Sequence, residues 1–352
     1  MYVLLLLAAA CTNDRTRRGY LETIASSYAS PPPRPVIVIP GFGVTRLYDP
    51  VTKQFVWGTP RTAVHTKYAD DLDLPPSGHD RLVPKGFAGS RGPINIAWHF
   101  QEALRRYGGY TPGVDVIPFE YDWRLSAREN ARLLGELVER VRHGGKVDLL
   151  THSAGALVAL AYVKLEGGGA NVAHLVMVAP TQKGVVDAFR IFVHPERFLR
   201  RTFAPEMVAT WPSVPEVFPE DGRIFVDESG KPLDRDLWKS SDPLVRQARA
   251  FRDALDAAPL RVDTHVIAGD CVPTARRVLA RHDGTYAFYP SELRPNEQAL
   301  KNILFKPGDG TVPIDSATAG GAAMIVCDGH QGIAQDPTVQ RAILRFLRES
   351  SP

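Results

Sequence analysis

VDLLTHSAGALVALAYVK, residues 147–164, carries the clearest structural signal in this chain. Its first four residues form an apolar run that is typical of a buried parallel strand, and residues 154–164 have helical composition. Ser153 falls on the sharp turn between these two elements, where the small residues Ala154 and Gly155 let the backbone tighten. Such a turn exposes a serine hydroxyl as a nucleophile. The alternative is that Ser153 merely caps the helix, which is a common role for serine.

Strands and helices alternate on both sides of this segment. The apolar runs 36–39, 115–118, 174–178 and 264–268 predict further strands, and residues 127–142 have apolar side chains at helical spacing. This alternation predicts a mostly parallel sheet that is covered by helices on both faces.

Residues 183–242 break this pattern, because they are irregular and rich in proline, charge and aromatic side chains. We expect them to form an inserted cap, part of whose aromatic surface would be exposed to lipid.

A serine nucleophile requires a base, and His330 is the best candidate. The histidines that follow Ser153 are His174, His194, His265, His282 and His330. His174 and His265 begin predicted strands, and His194 lies in the predicted cap. His330 lies in a glycine-flanked loop, DGHQG, between the apolar run 322–326 and the helical stretch 338–347. A histidine in such a loop near the end of the chain is well placed to act as the base.

The residue that orients this histidine has two candidates. Asp270 directly follows the predicted strand 264–268, and Asp309 lies in the turn-like segment PGDGTVP. Either carboxylate could hold the imidazole tautomer, and the residue pattern leaves the choice open.

Two backbone N–H groups are candidates for binding the oxyanion that forms on an attacked carbonyl. One belongs to Ala154, which directly follows the nucleophile. The other belongs to Phe42, since PGFG, residues 40–43, follows the first predicted strand and its glycines permit close approach. The alternative for this segment is a plain turn.

The composition of the 352 residues is that of a globular protein, with 44% hydrophobic and 23% charged residues. The net charge of +3 gives no electrostatic support for nucleic-acid binding. The three cysteines are Cys11, Cys271 and Cys327, and their spacing does not suggest a zinc site. No metal or organic cofactor is implied. Cys271 and Cys327 could form a disulfide or remain two buried thiols.

The first residues, MYVLLLLAAAC, form an apolar stretch too short to cross a bilayer. They resemble the end of a secretory leader, and AAAC resembles a lipoprotein box in which Cys11 would be acylated. Residues 1–34 would then be a leader or anchor with a polar tether, and residues 35–352 the catalytic domain. We expect export to the cell envelope or secretion; the alternative is a poorly ordered apolar N-terminus.

Four stretches spread over most of the chain resemble the lecithin–cholesterol acyltransferase family, which includes lysosomal phospholipases. They are VIVIPGFGVTRL (36–47), YDWRL (121–125), HSAG (152–155) and GDGTVP (308–313), and His330 follows at the expected place. The resemblance implies an α/β-hydrolase fold with an inserted cap and a catalytic triad of Ser153, Asp309 and His330. It assigns the role of the catalytic acid to Asp309 and leaves Asp270 as the second candidate.

The same resemblance implies a substrate class and a lipid surface as partner. The substrate would be a glycerophospholipid or another lipid ester, whose acyl group passes through an acyl-enzyme to water or an alcohol. Residues 46–70 match a membrane-touching loop of the family, in which Phe55 and Trp57 would insert into lipid or contact substrate; the alternative is that they pack inward. The alternative functions are a lipase or esterase acting on neutral or non-phospholipid esters, and a non-catalytic lipid-binding envelope lipoprotein. No oligomeric state is predicted.

Overall fold

A sheet of six parallel strands forms the centre of the computed structural model, which describes residues 28, 32–64, 72–88, 96–198 and 201–349. The described strands are β1 Val36–Ile39, β2 Thr45–Asp49, β3 Gln54–Trp57, β4 Val83–Phe87, β5 Val116–Pro118, β6 Val147–His152, β7 Val172–Val178, β8 Glu196–Phe198, β9 Arg201–Phe203, β10 Phe225–Val226, β11 Asp263–Gly269, β12 Val272–Ala275, β13 Val278–Ala280, β14 Tyr286–Ala287, β15 Phe305–Gly308 and β16 Met324–Val326.

The described α-helices are α1 Pro60–Val64, α2 Ile96–Tyr107, α3 Ala127–Val141, α4 Gly155–Leu165, α5 Val186–Val193, α6 Pro205–Val208, α7 Pro243–Ala257, α8 Lys301–Leu304, α9 Ile314–Thr318 and α10 Pro337–Glu349. None of the helices within the described residues is long and apolar enough to cross a membrane. The predicted leader and Cys11 lie outside the described residues.

The central sheet has the spatial order β16-β11-β7-β6-β1-β5, and each neighbouring pair is parallel. Every residue of β1 and β6 is buried, because helices cover both faces of the sheet. Helices α3 and α4 contribute to one apolar core, whereas α2 and α10 contribute to the other. The predicted α/β-hydrolase architecture is confirmed.

Residues 46–64 belong mainly to a small antiparallel sheet of order β3-β2-β4. Trp57 is only 4% exposed, and its Nε1 donates to the carbonyl of Gly43 at 2.6 Å. Phe55 is half-buried and packs edge-on against Tyr48. The expectation that Phe55 and Trp57 form an exposed pair is therefore wrong for Trp57, because its indole is enclosed by the fold. Residues 65–70 of this loop lie outside the described residues.

The segment 183–242 contains α5, α6, the hairpin β8–β9 and strand β10, which pairs with β13. Its aromatic side chains pack mainly inward: Phe189 is 4% exposed, Phe203 7% and Trp211 0%. The expectation of an exposed aromatic surface is wrong for these three side chains, since they contribute to the apolar core. The assignment of the segment as a cap stays a prediction.

Cys271 and Cys327 form a disulfide and are both exposed. Cys327 directly follows β16 and Cys271 lies two residues after the end of β11, which is the neighbour of β16 in the sheet, so the bond joins two adjacent strand ends. The alternative of two buried thiols is wrong. Among the described residues, no group of three or more His, Cys, Asp or Glu side chains is arranged to hold a metal ion.

Candidate active site

Ser153 lies on the tight turn between β6 and α4, where its φ of +54° places the backbone in the left-handed region. A residue other than glycine is strained there, and such strain is common at active sites. The first residue of helix α4 packs very closely against the end of β1: a Cβ at Gly155 would come 2.4 Å from the carbonyl oxygen of Pro40. Glycine at that position therefore allows the sharp reversal that presents Ser153 at the carboxyl edge of the sheet.

The imidazole of His330 lies beside this serine. The Oγ atom of Ser153 and the Nε2 atom of His330 are 3.0 Å apart, although the residues are separated by 177 positions in the chain. On the other side of the ring, Nδ1 is 2.7 Å from the Oδ2 atom of Asp309. With hydrogen on Nδ1, the ring donates to the carboxylate and can accept the serine proton at Nε2.

Asp309 is 3% exposed and is held by its own turn. Its Oδ1 atom accepts from the N–H groups of Thr311 at 2.9 Å and Val312 at 2.7 Å. Burial disfavours the charged form, but the neighbouring His330 and these two N–H donors more than offset it, so the pKa of Asp309 lies below its usual value. This carboxylate is therefore ionised near neutral pH.

The other candidate acid, Asp270, is half-buried at the end of β11. The chain passes through the antiparallel pair β12–β15 and returns Asp309 to the same strand end, where a bridge joins Val272 to Asp309. A Cβ at Gly269 would come 2.9 Å from the Cβ of Asp309, so the returning turn packs directly on β11. The structure thus pairs His330 with Asp309, and not with Asp270.

The turn that contains Phe42 lies against the nucleophile. A Cβ at Gly41 would come 2.9 Å from the Cβ of Ser153, so only glycine permits this approach. Within the described part of the chain, the N–H groups of Phe42 and Ala154 donate to no backbone carbonyl outside regular helix and strand pairing. Both residues line the cavity at Ser153, so the two N–H groups stay candidates for the oxyanion donors.

Two side chains hold this turn from its ends, a role that the sequence did not predict for either of them. Tyr121 donates its hydroxyl to the carbonyl of Pro40 at 2.7 Å, and Trp57 binds the carbonyl of Gly43. Tyr121 begins the YDWR stretch, so the resemblance contained the signal. In the same stretch, Arg124 forms ion pairs with Asp122 and with Asp80, each at 2.7 Å.

Ser153 opens into a cavity of about 350 Å³ with a mainly apolar wall. The charged side chains among its described lining residues are Asp187, Arg190 and Glu196, and Arg190 forms ion pairs with both carboxylates. Trp57 is in this wall, and its contact with substrate stays a prediction. The apolar lining residues are Phe42, Trp57, Val185, Ala188, Ile191, Phe203, Val208, Trp211, Val214 and Val217.

Comparison with known proteins agrees with the fold. The model of the family described as "Alpha/beta hydrolase family" matches residues 36–348. The chain belongs to the alpha/beta hydrolase family.

Two curated relatives show how far this alpha/beta hydrolase resembles individual proteins. It is 23% identical to phospholipase A(1) LCAT3 of Arabidopsis thaliana over 84% of this chain and 82% of that protein. It is 26% identical to the uncharacterized protein YJR098C of Saccharomyces cerevisiae over 67% of this chain, but it spans only 38% of that protein's length.

Solved structures share the fold of this alpha/beta hydrolase at low sequence identity. The structure of the Tle4–Tli4 complex matches with a TM-score of 0.63 and 16% identity, over 92% of this chain and 100% of the other. The mature lipase BlEst2 of Bacillus licheniformis matches with a TM-score of 0.50 and 12% identity, over 91% of this chain and 95% of the other.

Proposed function

We propose that this protein hydrolyses the acyl esters of lipids, with Ser153 as the nucleophile. The observation that carries the proposal is the hydrogen-bonded series Asp309–His330–Ser153, with successive distances of 2.7 and 3.0 Å, whose serine lines an apolar cavity. A series of this kind activates a serine that would otherwise be a weak nucleophile.

In the proposed reaction, the Oγ of Ser153 attacks the ester carbonyl carbon while its proton passes to Nε2 of His330. Asp309 stabilises the imidazolium through Nδ1. The negative charge on the carbonyl oxygen is met by the N–H groups of Phe42 and Ala154. Collapse of the tetrahedral intermediate breaks the ester C–O bond, and Nε2 returns its proton to the departing alcohol. Water, activated by the same imidazole, then releases the acyl group and restores Ser153.

The apolar wall of the cavity supports a lipid acyl chain as the bound group, because burial of such a chain removes apolar surface from water. A glycerophospholipid is the preferred substrate in this proposal, and the similarity to a plant protein called a phospholipase A(1) supports it. Transfer of the acyl group to an alcohol in place of water would use the same intermediate.

A neutral lipid ester is the second candidate substrate, and one feature of the cavity favours it. Arg190 is the sole cationic side chain among the described residues of the cavity wall, and Asp187 and Glu196 already neutralise it. A phosphate group inside the cavity would therefore lack a free cation to bind.

The proposal is tested by comparing the wild type with Ser153→Ala on phosphatidylcholine vesicles, a triacylglycerol emulsion and a short soluble ester. A fluorophosphonate probe should label the wild type, and both labelling and turnover should be lost in Ser153→Ala. Ser213→Ala is a matched control, because Ser213 lines the same cavity but is not hydrogen-bonded to His330. Labelling that persists in Ser153→Ala would refute the assignment of the nucleophile, and a wild type that neither reacts nor turns over would favour a lipid-binding protein without catalysis.

A further inference from the structure

His152, the residue before the candidate nucleophile, is enclosed at the active site and has no part in the reaction described above. It is 2% exposed, and its ring centroid lies 4.7 Å from that of His330. Its Nε2 atom is 3.1 Å from the backbone carbonyl oxygen of His330. Because a carbonyl can only accept, Nε2 must carry the hydrogen.

The ring of His152 is a neutral hydrogen-bond donor, because its pKa lies far below neutral pH. Burial, together with the neighbouring His330, lowers the pKa of His152 to about 3. In the Nε2–H tautomer, the Nδ1 atom is an acceptor, and within the described residues it is buried without a hydrogen-bond partner. An apolar side chain would avoid the loss of hydration at Nδ1, so packing alone does not account for an imidazole here.

With the hydrogen bond from His152, both backbone polar groups of His330 have a partner. The N–H of His330 donates to the carbonyl of Asp309 at 2.8 Å, and the carbonyl of His330 accepts from His152. The loop on either side contains Gly329 and Gly332, whose backbones have more conformational freedom than other residues. The two hydrogen bonds thus fix both polar groups of the peptide backbone at the candidate base.

His152 also lies next to the turn that carries Phe42. A Cβ at Gly41 would come 3.3 Å from the Nδ1 atom of His152. One ring therefore packs against the candidate oxyanion turn and binds the loop that carries the base.

We propose that His152 is a positioning residue that holds the backbone of His330, and through it the imidazole, in register with Ser153. This inference rests on the proposed function. Displacement of a reacting group by about 1 Å can reduce a rate by about a hundredfold, so a single well-placed hydrogen bond can have a large kinetic effect.

The test compares His152→Gln with His152→Met, two side chains of nearly equal length and volume. The glutamine amide can donate at the position of Nε2, whereas methionine cannot donate. We expect kcat for a short soluble ester to fall by about tenfold to a hundredfold in His152→Met, with little change in KM. His152→Gln should recover most of this loss. The melting temperature of His152→Met should stay close to that of the wild type, because the substitution also removes the unpartnered Nδ1 atom.

His265→Met serves as the control for loss of an imidazole away from the site, because His265 is half-buried, stacks on Phe346 and has its Nε2 buried without a partner among the described residues. We expect its activity to match that of the wild type. A His152→Met enzyme with wild-type kcat, or a His152→Gln enzyme as slow as His152→Met, would overturn the positioning role.

A second measurement separates this inference from the proposed function. In the ¹⁵N-labelled protein, the Nδ1 proton of His330 should give a low-field NMR resonance, which should persist in His152→Gln and be lost to water exchange in His152→Met. If the wild type has no activity that depends on Ser153, the proposed function fails, yet the resonance still reports on the position of His330. A resonance unchanged in His152→Met would refute the positioning role directly.

Discussion

His330 is bound to Asp309 twice, once through its ring and once through its backbone. The Nδ1 atom lies 2.7 Å from Oδ2 of Asp309, and the N–H of His330 donates to the backbone carbonyl of Asp309 at 2.8 Å. The first contact selects the imidazole tautomer, and the second fixes the distance between the two loops. The two residues therefore behave as one structural unit.

Replacing each aspartate by asparagine should show whether Asp309 or Asp270 orients His330. We expect Asp309→Asn to lower kcat by about four orders of magnitude, because an amide favours the wrong imidazole tautomer. Asp270→Asn should have a much smaller effect, since the Nδ1 hydrogen of His330 is directed to Asp309. Steady-state kinetics on a soluble ester measures both, and a larger loss in Asp270→Asn would contradict the assignment.

Gly41→Ala should reduce activity strongly, although it replaces none of the side chains that take part in the proposed reaction. The added methyl carbon would lie 2.9 Å from the Cβ of Ser153 and 3.3 Å from His152, and neither neighbour can swing away. We expect kcat to fall by about a hundredfold, as when an oxyanion donor is displaced. Gly145→Ala is the control, because its methyl group would meet only the carbonyl of Arg142 at 3.4 Å. Equal kinetics for the two variants would show that the turn at Gly41 is not part of the site.

Trp57→Ala should destabilise the protein and impair the hydrolysis of every ester. The indole is buried and bonded to Gly43, so we expect the free energy of unfolding to fall by about 3–5 kcal/mol. Phe55→Ala should have a smaller effect, because Phe55 is only half-buried. Thermal melting is compared with activity on vesicles and on a soluble ester. A selective loss on vesicles with unchanged melting of Trp57→Ala would instead support a membrane-inserting tryptophan.

Glu216 should make stability depend on pH in the range where this carboxyl titrates. It is buried and accepts hydrogen bonds from Ser126 and from the N–H of Ala127. Burial raises its pKa from 4.5 to about 7, against the opposing effects of these donors and Arg252, and with Glu129 adding to the rise. Because the folded-state pKa is raised, the contribution of Glu216 to stability is full below about pH 4.5 and is lost as the pH rises through about 7.

Glu216→Gln removes this titration while it keeps the shape of the side chain. Between about pH 5 and about pH 8, the free energy of unfolding of the wild type should decrease by about 2–3 kcal/mol relative to that of the variant. Denaturant unfolding at both pH values measures the difference, and parallel pH profiles for the two proteins would show that the pKa of Glu216 is not raised.

Local sequence patterns were sufficient for the sheet and for two of the candidate site residues. Apolar runs of strand length that alternate with helical spacing report burial directly, so the parallel sheet could be predicted. The turn at Ser153 and the glycine-flanked loop at His330 also carry their own signals, because backbone reversal requires small residues nearby. The structure brings these two side chains within hydrogen-bonding distance.

The residue pattern alone left the choice between Asp309 and Asp270 open, although the resemblance favoured Asp309, and it also left the orientation of Trp57 open. Tertiary structure decided both. Asp270 follows a strand and Asp309 lies in a turn, both plausible places for the acid, and only the return of the chain through β12–β15 brings Asp309 to the end of β11. Trp57 lies in an amphipathic stretch whose inward face is set by its packing against Gly43 and Trp123. The sequence alone determined which runs form strands of the central sheet and where the chain turns sharply at Ser153, since these depend on near neighbours. Contacts between residues tens or hundreds of positions apart, such as that of His152 with the carbonyl of His330, depend on how the buried surfaces fit together in three dimensions.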